Sequence, residues 1–183
     1  MDRVRVSKRL AYVLRHAPGS IGLELDAAGW VGVEDLLAAL ARSGTHVGRA
    51  DLVDIVEASD KRRFAVSADG ARIRASQGHS VAVDLELPPS VPPETLFHGT
   101  VARYLAAIRA EGLRARSRTH VHLSADRQTA ATVGARRGRP VVLEVRARAL
   151  CDAGQPFFLA DNGVWLVDAV PPAYLVIPAP GPQ

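Results

Sequence analysis

Between Leu85 and Glu94 the chain reads LELPPSVPPE, with four prolines in ten residues. Each proline fixes φ and lacks an amide hydrogen, so neither a helix interior nor a central strand can run through the segment. It reads as a linker, 85–94, that separates a first part, 1–84, from a second part, 95–183. Of the 183 residues 48% are hydrophobic, which is enough apolar material for two small units that each bury a core.

In the first part SKRLAYVLRH sets Leu10, Val13 and Leu14 on one helical face, and Pro18-Gly19 ends that helix. Val33, Leu36, Leu37 and Leu40 repeat the spacing, and Leu52, Ile55 and Val56 do so again after Gly48. RFAV, the turn SADG and ARIRAS then read as a β-hairpin. Three helices and a hairpin make a winged-helix pattern. Along the hairpin Phe64 and Val66 alternate with Arg63, and Ile73 lies between Arg72 and Arg74, which predicts one apolar face and one face of guanidiniums.

After the linker the pattern changes to short strands interleaved with helices. LFHGT (96–100), HVHLS (120–124), PVVLEV (140–145), FFLA (157–160), VWLVDAV (164–170) and AYLVI (173–177) read as strands, and 101–111 and 125–137 as amphipathic helices. The expectation is an α+β protein whose second part has a predominantly β core and no internal repeat.

Charge adds a constraint on partners. The net charge is only +4, but 21 of the 23 cations are arginine. A GC-rich genome enriches arginine with no functional reason, so the distribution is the better signal. Residues 103–148 hold 11 Arg against Glu111, Asp126 and Glu144, a local balance of +8. That excess points to an anionic partner, a nucleic acid or a phosphate-bearing ligand, bound by the second part. One cysteine, Cys151, excludes an internal disulfide and any Cys-rich zinc module. No apolar run is long enough to span a bilayer, and the charged start MDRVRVSKRL does not read as a signal peptide, so a cytoplasmic protein is expected.

Several clusters could carry chemistry. Arg15-His16 stands at the end of the first helix, where cations also simply complement the helix dipole. DKRRF, Asp60 to Phe64, reads equally as a solvated charge run entering a strand. In HVHLS, period-two alternation sends Val121 and Leu123 to the core and His120 and His122 to the opposite face, with Arg118 in register. LFHGT supplies His98, followed by Gly99, which would let a ligand approach the backbone. His98 with His120 and His122 could offer three nitrogens to zinc, but no carboxylate neighbours either segment in the sequence and clustered arginine would repel a dication, so no metal is expected. DNGVWL reads as an Asn-Gly turn leading to a core Trp165. Gly78-His79 has no local pattern that demands a histidine.

The strings SKRLAYVLRHAPGSIGLELDAAGWV, DKRRFAVS, RIRASQGHS, LFHGT, RTHVHLS, VGARRGRPVVLEV and NGVWLVDAVPPAYL, in this order and spacing, resemble the NAD-dependent RNA 2′-phosphotransferase family from about Ser7 to Tyr174. The resemblance implies an N-terminal winged-helix lobe, which would bind RNA, joined to a C-terminal ADP-ribosyltransferase-like lobe, with the active site in the cleft. It implies a two-step reaction with NAD as a consumed co-substrate. An RNA 2′-phosphate attacks C1″ of the nicotinamide ribose, giving a 2′-phospho-ADP-ribosyl RNA, and the 2″-hydroxyl then attacks phosphorus, releasing 2′-hydroxyl RNA and ADP-ribose 1″,2″-cyclic phosphate.

The family's essential set falls on Arg15, His16, Arg63 and Arg118, and its NAD-binding positions on His98, Gly99 and Thr100, with Ser124, Asn162 and Gly163 as further candidates. Ala17 stands where the family commonly repeats histidine, and Ser76 where it commonly has asparagine. The guanidinium face of the hairpin, Arg72 and Arg74, is expected to contact RNA phosphates, and the protein to act as a monomer. No G-x-G-x-x-G follows a first strand, so NAD would not be held in a Rossmann manner. Two other readings stay open: an ADP-ribosyltransferase that caps terminal phosphates of RNA or DNA and stops after the first step, and a non-enzymatic winged-helix nucleic-acid binder.

Overall fold

The computed structural model describes residues 2–59 and 62–178. Asp60 and Lys61 of the DKRRF run, and residues 179–183, lie outside the described residues. The chain divides into two compact units, Met1–Glu86 and Leu87–Gln183. The boundary falls inside the proline-rich segment, but that segment is not a free tether. Leu85 is buried and its carbonyl accepts from Arg74, whereas Ser90 N–H donates to the Phe157 carbonyl and Pro89 bridges to Phe158.

The first unit begins with α1, Arg3–Arg15, capped by the Asp2 carboxylate, which accepts from Arg5 N–H at 3.0 Å. Val6, Leu10, Val13 and Leu14 form its buried stripe. A 3-10 turn, Pro18–Ile21, ends on Gly22 in the left-handed region. α2, Val33–Arg42, carries Glu34 and Asp35 in its first turn and buries Val33, Leu36, Ala39 and Leu40. α3, Arg49–Glu57, buries Leu52 and Ile55, while Leu37 and Val56 pack at the margin of the same core.

A three-stranded antiparallel sheet closes this unit. β1, Val31–Gly32, pairs with β3, Arg72–Ala75, which pairs with β2, Phe64–Val66. The apolar hairpin face is only partly as the alternation predicts. Phe64, Ile73 and Ala75 are buried, but Val66, next to the turn, is 41% exposed because it lies at the open end of an edge strand. β1 has too short a run to be read from sequence.

The second unit is mixed, with helices laid on small antiparallel sheets. β4, Thr95–Val101, pairs along its whole length with β7, Pro140–Arg146, and β11, Leu175–Val176, pairs with β7 on the other side. β6, Val121–Leu123, and β8, Phe158–Leu159, flank β9, Trp165–Val167. β5, Leu113–Arg114, pairs with β10, Ala169–Val170. Thus VWLVDAV is not one strand: it changes sheet at Asp168. The helix expected over 101–111 is a 3-10 turn, Ala102–Tyr104, followed by α4, Leu105–Glu111. α5, Arg127–Ala135, is shorter than the expected 125–137, and α6, Ala147–Asp152, was not signalled by its short sequence. Leu96, Leu123, Leu143, Val145, Phe157 and Val167 centre the core.

α5 lies directly on β4. A Cβ added at Gly99 would stand 1.8 Å from the Ala130 carbonyl oxygen and 2.9 Å from Gly134 N, and one at Gly134 would stand 3.0 Å from the Thr100 carbonyl. Both glycines let a helix and a strand approach backbone to backbone. Gly99→Ala is expected to cost about 3 kcal/mol in denaturant unfolding, whereas Gly19→Ala, where a Cβ meets nothing within 4 Å, should stay within about 0.5 kcal/mol of the parent.

Candidate functional site

Three of the four residues in the predicted cationic set gather at one corner of the first unit. Arg15 closes α1 and His16 is its C-cap, its N–H donating to the Tyr12 carbonyl. Arg15 Nη2 donates to the Arg63 carbonyl at 3.4 Å, and Arg63 Nη1 lies 3.4 Å from Ser59 Oγ. Ser76, buried, fixes the same backbone: its hydroxyl donates to the Arg62 carbonyl at 2.8 Å and its N–H to the Arg63 carbonyl at 2.9 Å. A groove lined by Ser7, Lys8, Ala11, Ser59 and Arg63 runs between α1 and the end of α3.

The segment after β3 returns to this corner. Ser80 N–H and Val81 N–H both donate to the Arg15 carbonyl, and Ser80 Oγ lies 2.9 Å from His16 Nδ1. His79 is fully buried. Neither ring nitrogen has a hydrogen-bond partner among the described residues, and burial, followed by the charges of Arg15, His16 and Arg74, lowers its pKa to about 4. His79 is therefore neutral and buried beside this corner, and no described hydrogen bond requires that the buried side chain be an imidazole.

The hairpin arginines are held over Trp30. The guanidinium carbon of Arg74 is 4.6 Å from the ring centre and that of Arg72 is 5.3 Å. Arg74 Nη1 also donates to the Ala28 and Leu85 carbonyls, whereas the one side-chain hydrogen bond of the Arg72 guanidinium among the described residues goes to the exposed Asp26 carboxylate, at 3.3 Å. Arg74 is thus built into its unit, and Arg72 is the more exposed of the two.

In the second unit the histidine strand has the predicted alternation, with Val121 and Leu123 buried. His98 Nδ1 donates to the His122 carbonyl at 3.0 Å. Burial first, and the Arg137 and Arg118 charges after it, lower the His98 pKa against the opposing pull of that carbonyl. The ring is neutral, with its proton on Nδ1 and its acceptor lone pair on Nε2. Arg118 Nη1 lies 3.2 Å from His122 Nδ1, which must accept because a guanidinium only donates. Burial, then Arg137 and Arg136, pull the Arg118 pKa down, the mark of cations crowded together.

His120 is the exception to the sequence reasoning. Its Nε2 stands 3.5 Å from Asp168 Oδ1 and its ring meets Phe158 edge to face. A carboxylate does adjoin the histidine strand, delivered by β9 pairing with β6 across the 41 residues 124–164, which no local pattern reveals. Among the described residues no group of three or more His, Cys, Asp or Glu side chains could hold a metal ion.

Of the remaining candidates, Thr100 is buried beside α5, and Ser124 exchanges both backbone hydrogen bonds with Phe97, next to His98. Asn162 and Gly163 turn the chain from β8 into β9: Asn162 Oδ1 accepts from Val164 N–H, and Gly163 adopts φ +79°.

Comparison with known proteins now decides the family. A family model described as "RNA 2'-phosphotransferase, Tpt1 / KptA family" matches residues 1–169. The chain belongs to the RNA 2′-phosphotransferase family. A protein of Streptomyces griseus named "Probable RNA 2'-phosphotransferase" is 59% identical over 181 residues, covering 95% of this chain and 96% of its own. One of Agrobacterium fabrum with the same name is 59% identical over 173 residues, with 94% and 93% covered. One of Streptomyces coelicolor, also so named, is 57% identical over 177 residues, with 97% and 96% covered. In this chain of the phosphotransferase family the helix end and the 76–81 return present cations and imidazoles in the first unit, and the histidine strand does so in the second.

The buried His79 has a consequence for stability. Unfolded, it takes a proton below about pH 6.5, but folded it does so only below about 4. Stability is therefore full above pH 6.5 and falls as pH drops toward 4, by about 3 kcal/mol in all. Equilibrium unfolding across this range should show that loss in the parent, and His79→Leu should remove it.

Proposed function

We propose that the protein transfers the 2′-phosphate of an RNA to NAD, by way of a 2′-phospho-ADP-ribosyl RNA, to give 2′-hydroxyl RNA, ADP-ribose 1″,2″-cyclic phosphate and nicotinamide. The observation that carries the reading is the corner where Arg15, His16 and Arg63 are tied together, in a chain of the RNA 2′-phosphotransferase family. The winged-helix reading of the first unit and the ADP-ribosyltransferase-like reading of the second belong to the same proposal.

In the first step a phosphate oxygen bonds to C1″ while the bond to nicotinamide breaks and its electron pair leaves with the ring. A phosphate dianion is a competent nucleophile, so this step needs positioning and charge management more than a general base. That fits a site built of guanidiniums and a neutral His98. His98, neutral and with Nε2 as acceptor, suits a ribose hydroxyl, and Gly99, Thr100, Ser124, Asn162 and Gly163 are proposed around the same dinucleotide.

In the second step the 2″-oxygen bonds to phosphorus, its proton passes to water, and the RNA 2′-oxygen departs with a proton. Arg15, Arg63 and Arg118 hold the phosphate oxygens as charge builds on them. His16 supplies the proton, since imidazole is the one side chain of the set that ordinarily titrates near neutrality.

The test is single-turnover reaction of a 2′-phosphorylated oligonucleotide with excess NAD. Nicotinamide should appear only when both are present. His16→Ala should slow the second step by about 10²- to 10⁴-fold and let the 2′-phospho-ADP-ribosyl RNA accumulate as a slower band. Arg118→Ala should slow both steps and accumulate less. A stable adduct from the parent protein would favour the capping activity, and binding without turnover a non-enzymatic binder.

RNA contact outside the reacting centre is expected at Arg72. Arg72→Ala should flatten the salt dependence of RNA affinity by roughly one unit, with the fold intact. Arg74→Ala should instead cost about 1–2 kcal/mol of unfolding free energy, through lost carbonyl bonds and lost cover on Trp30. An unchanged salt slope for Arg72→Ala would place the RNA elsewhere.

A further inference from the structure

The segment Gly78-His79-Ser80 has more organisation than a connection needs. Its start, Gly78, has φ +87° and lies over Arg15: a Cβ there would be 3.7 Å from the Arg15 guanidinium. His79 is fully buried, with Nε2 3.5 Å from where a Cβ on Gly29 would stand, and anchors the loop. Two amides, from Ser80 at 2.9 Å and Val81 at 3.3 Å, then bind the Arg15 carbonyl that α1 leaves open. The hydroxyl that follows from this arrangement is Ser80 Oγ, 2.9 Å from His16 Nδ1.

We propose that Ser80 is the positioning residue of His16, holding Nδ1 so that Nε2 is the ring nitrogen that gives its proton to the departing RNA 2′-oxygen. The proposal rests on the phosphotransferase reading above. An imidazolium carries hydrogens on both nitrogens, and here the Nδ1 hydrogen is donated to Ser80 Oγ. As the bond between phosphorus and the RNA oxygen breaks, the oxygen takes the Nε2 proton. The ring that remains is neutral, still protonated on Nδ1 and still held by Ser80, and water returns a proton to Nε2. Two backbone bonds and a buried anchor fix the hydroxyl, so the ring does not have to be oriented anew in each turnover. Ser80 touches no reacting atom in this account.

The test uses the full-length protein with Ser80→Ala and Ser80→Thr. Ser80→Ala should slow the second step about 10- to 100-fold, with the intermediate accumulating and the first step little changed. Ser80→Thr, which keeps a hydroxyl, should restore the rate. In a His16→Ala background Ser80→Ala should have no further effect on the second step. Nitrogen-15 spectra of the imidazole assigned to His16, taken where the ring is neutral, should show the proton on Nδ1 in the parent and a shift toward the other tautomer in Ser80→Ala.

An unchanged tautomer and second-step rate in Ser80→Ala would overturn the proposal, as would an equal loss of rate when His16 is already absent. A parent protein that turns over no 2′-phosphorylated RNA would overturn the phosphotransferase reading itself. The spectra, which need no substrate, tell that failure apart from a failure of the contact between Ser80 and His16.

Discussion

Positive charge held without a carboxylate is the constraint on which the rest of this structure turns. At the surface Arg3, Arg49 and Arg127 pair with Asp54, Glu34 and Glu144. Among the described residues Arg63 and Arg118 make no such ion pair: Arg63 lies against a serine hydroxyl, and Arg118 against an imidazole. A guanidinium keeps its charge in either setting, and one that no described carboxylate engages can offer its donors to an anionic ligand. Each unit holds one such cation, Arg63 beside Ser59 and Arg118 beside His122, and under the proposed function both bind phosphate oxygens, which a guanidinium grips in pairs.

Holding those cations in place is mostly a matter of backbone. In the first unit the return through Ser76 and Ser80 ties the end of α1 to the residues before β2, and His79 fills the space beneath at the cost of acid stability. In the second, the close approach of α5 to β4 at Gly99 and Gly134 sets the strand from which His98 projects, and the bridge between Phe97 and Ser124 joins that strand to the one carrying His122. Packing that admits no added methyl group thereby fixes the direction of the imidazoles, and the direction of the imidazoles fixes which nitrogen each can offer.

Much of this was legible in the residues because it is local. The stripes Leu10, Val13, Leu14 and Leu36, Leu40 follow helical spacing, and the alternation around Val121 and Leu123 follows the strand period, so those elements stand where the pattern puts them. What was not legible is non-local. Asp168 reaches His120 only because β6 pairs with β9, and VWLVDAV breaks at that same Asp168 because its two halves find partners in different sheets. Gly99 reads in sequence as room for a ligand and in the structure also as room for the Ala130 carbonyl. Ser76 and Ser80 are ordinary residues in any one-dimensional reading, and their part is visible only once β3 has carried them back to α1.

The central claim is that these cations await a 2′-phosphate, and binding tests it more directly than turnover. Calorimetric titration should be made with a short RNA carrying one internal 2′-phosphate and with the same RNA bearing a 2′-hydroxyl, at one salt concentration and without NAD. The account predicts that the phosphorylated RNA binds at least about tenfold more tightly, the equivalent of about 1.4 kcal/mol, and that Arg63→Ala and Arg118→Ala each erase most of that difference while leaving the affinity for the hydroxyl form nearly unchanged. Equal affinity for the two RNAs, or a preference that survives both substitutions, would contradict it.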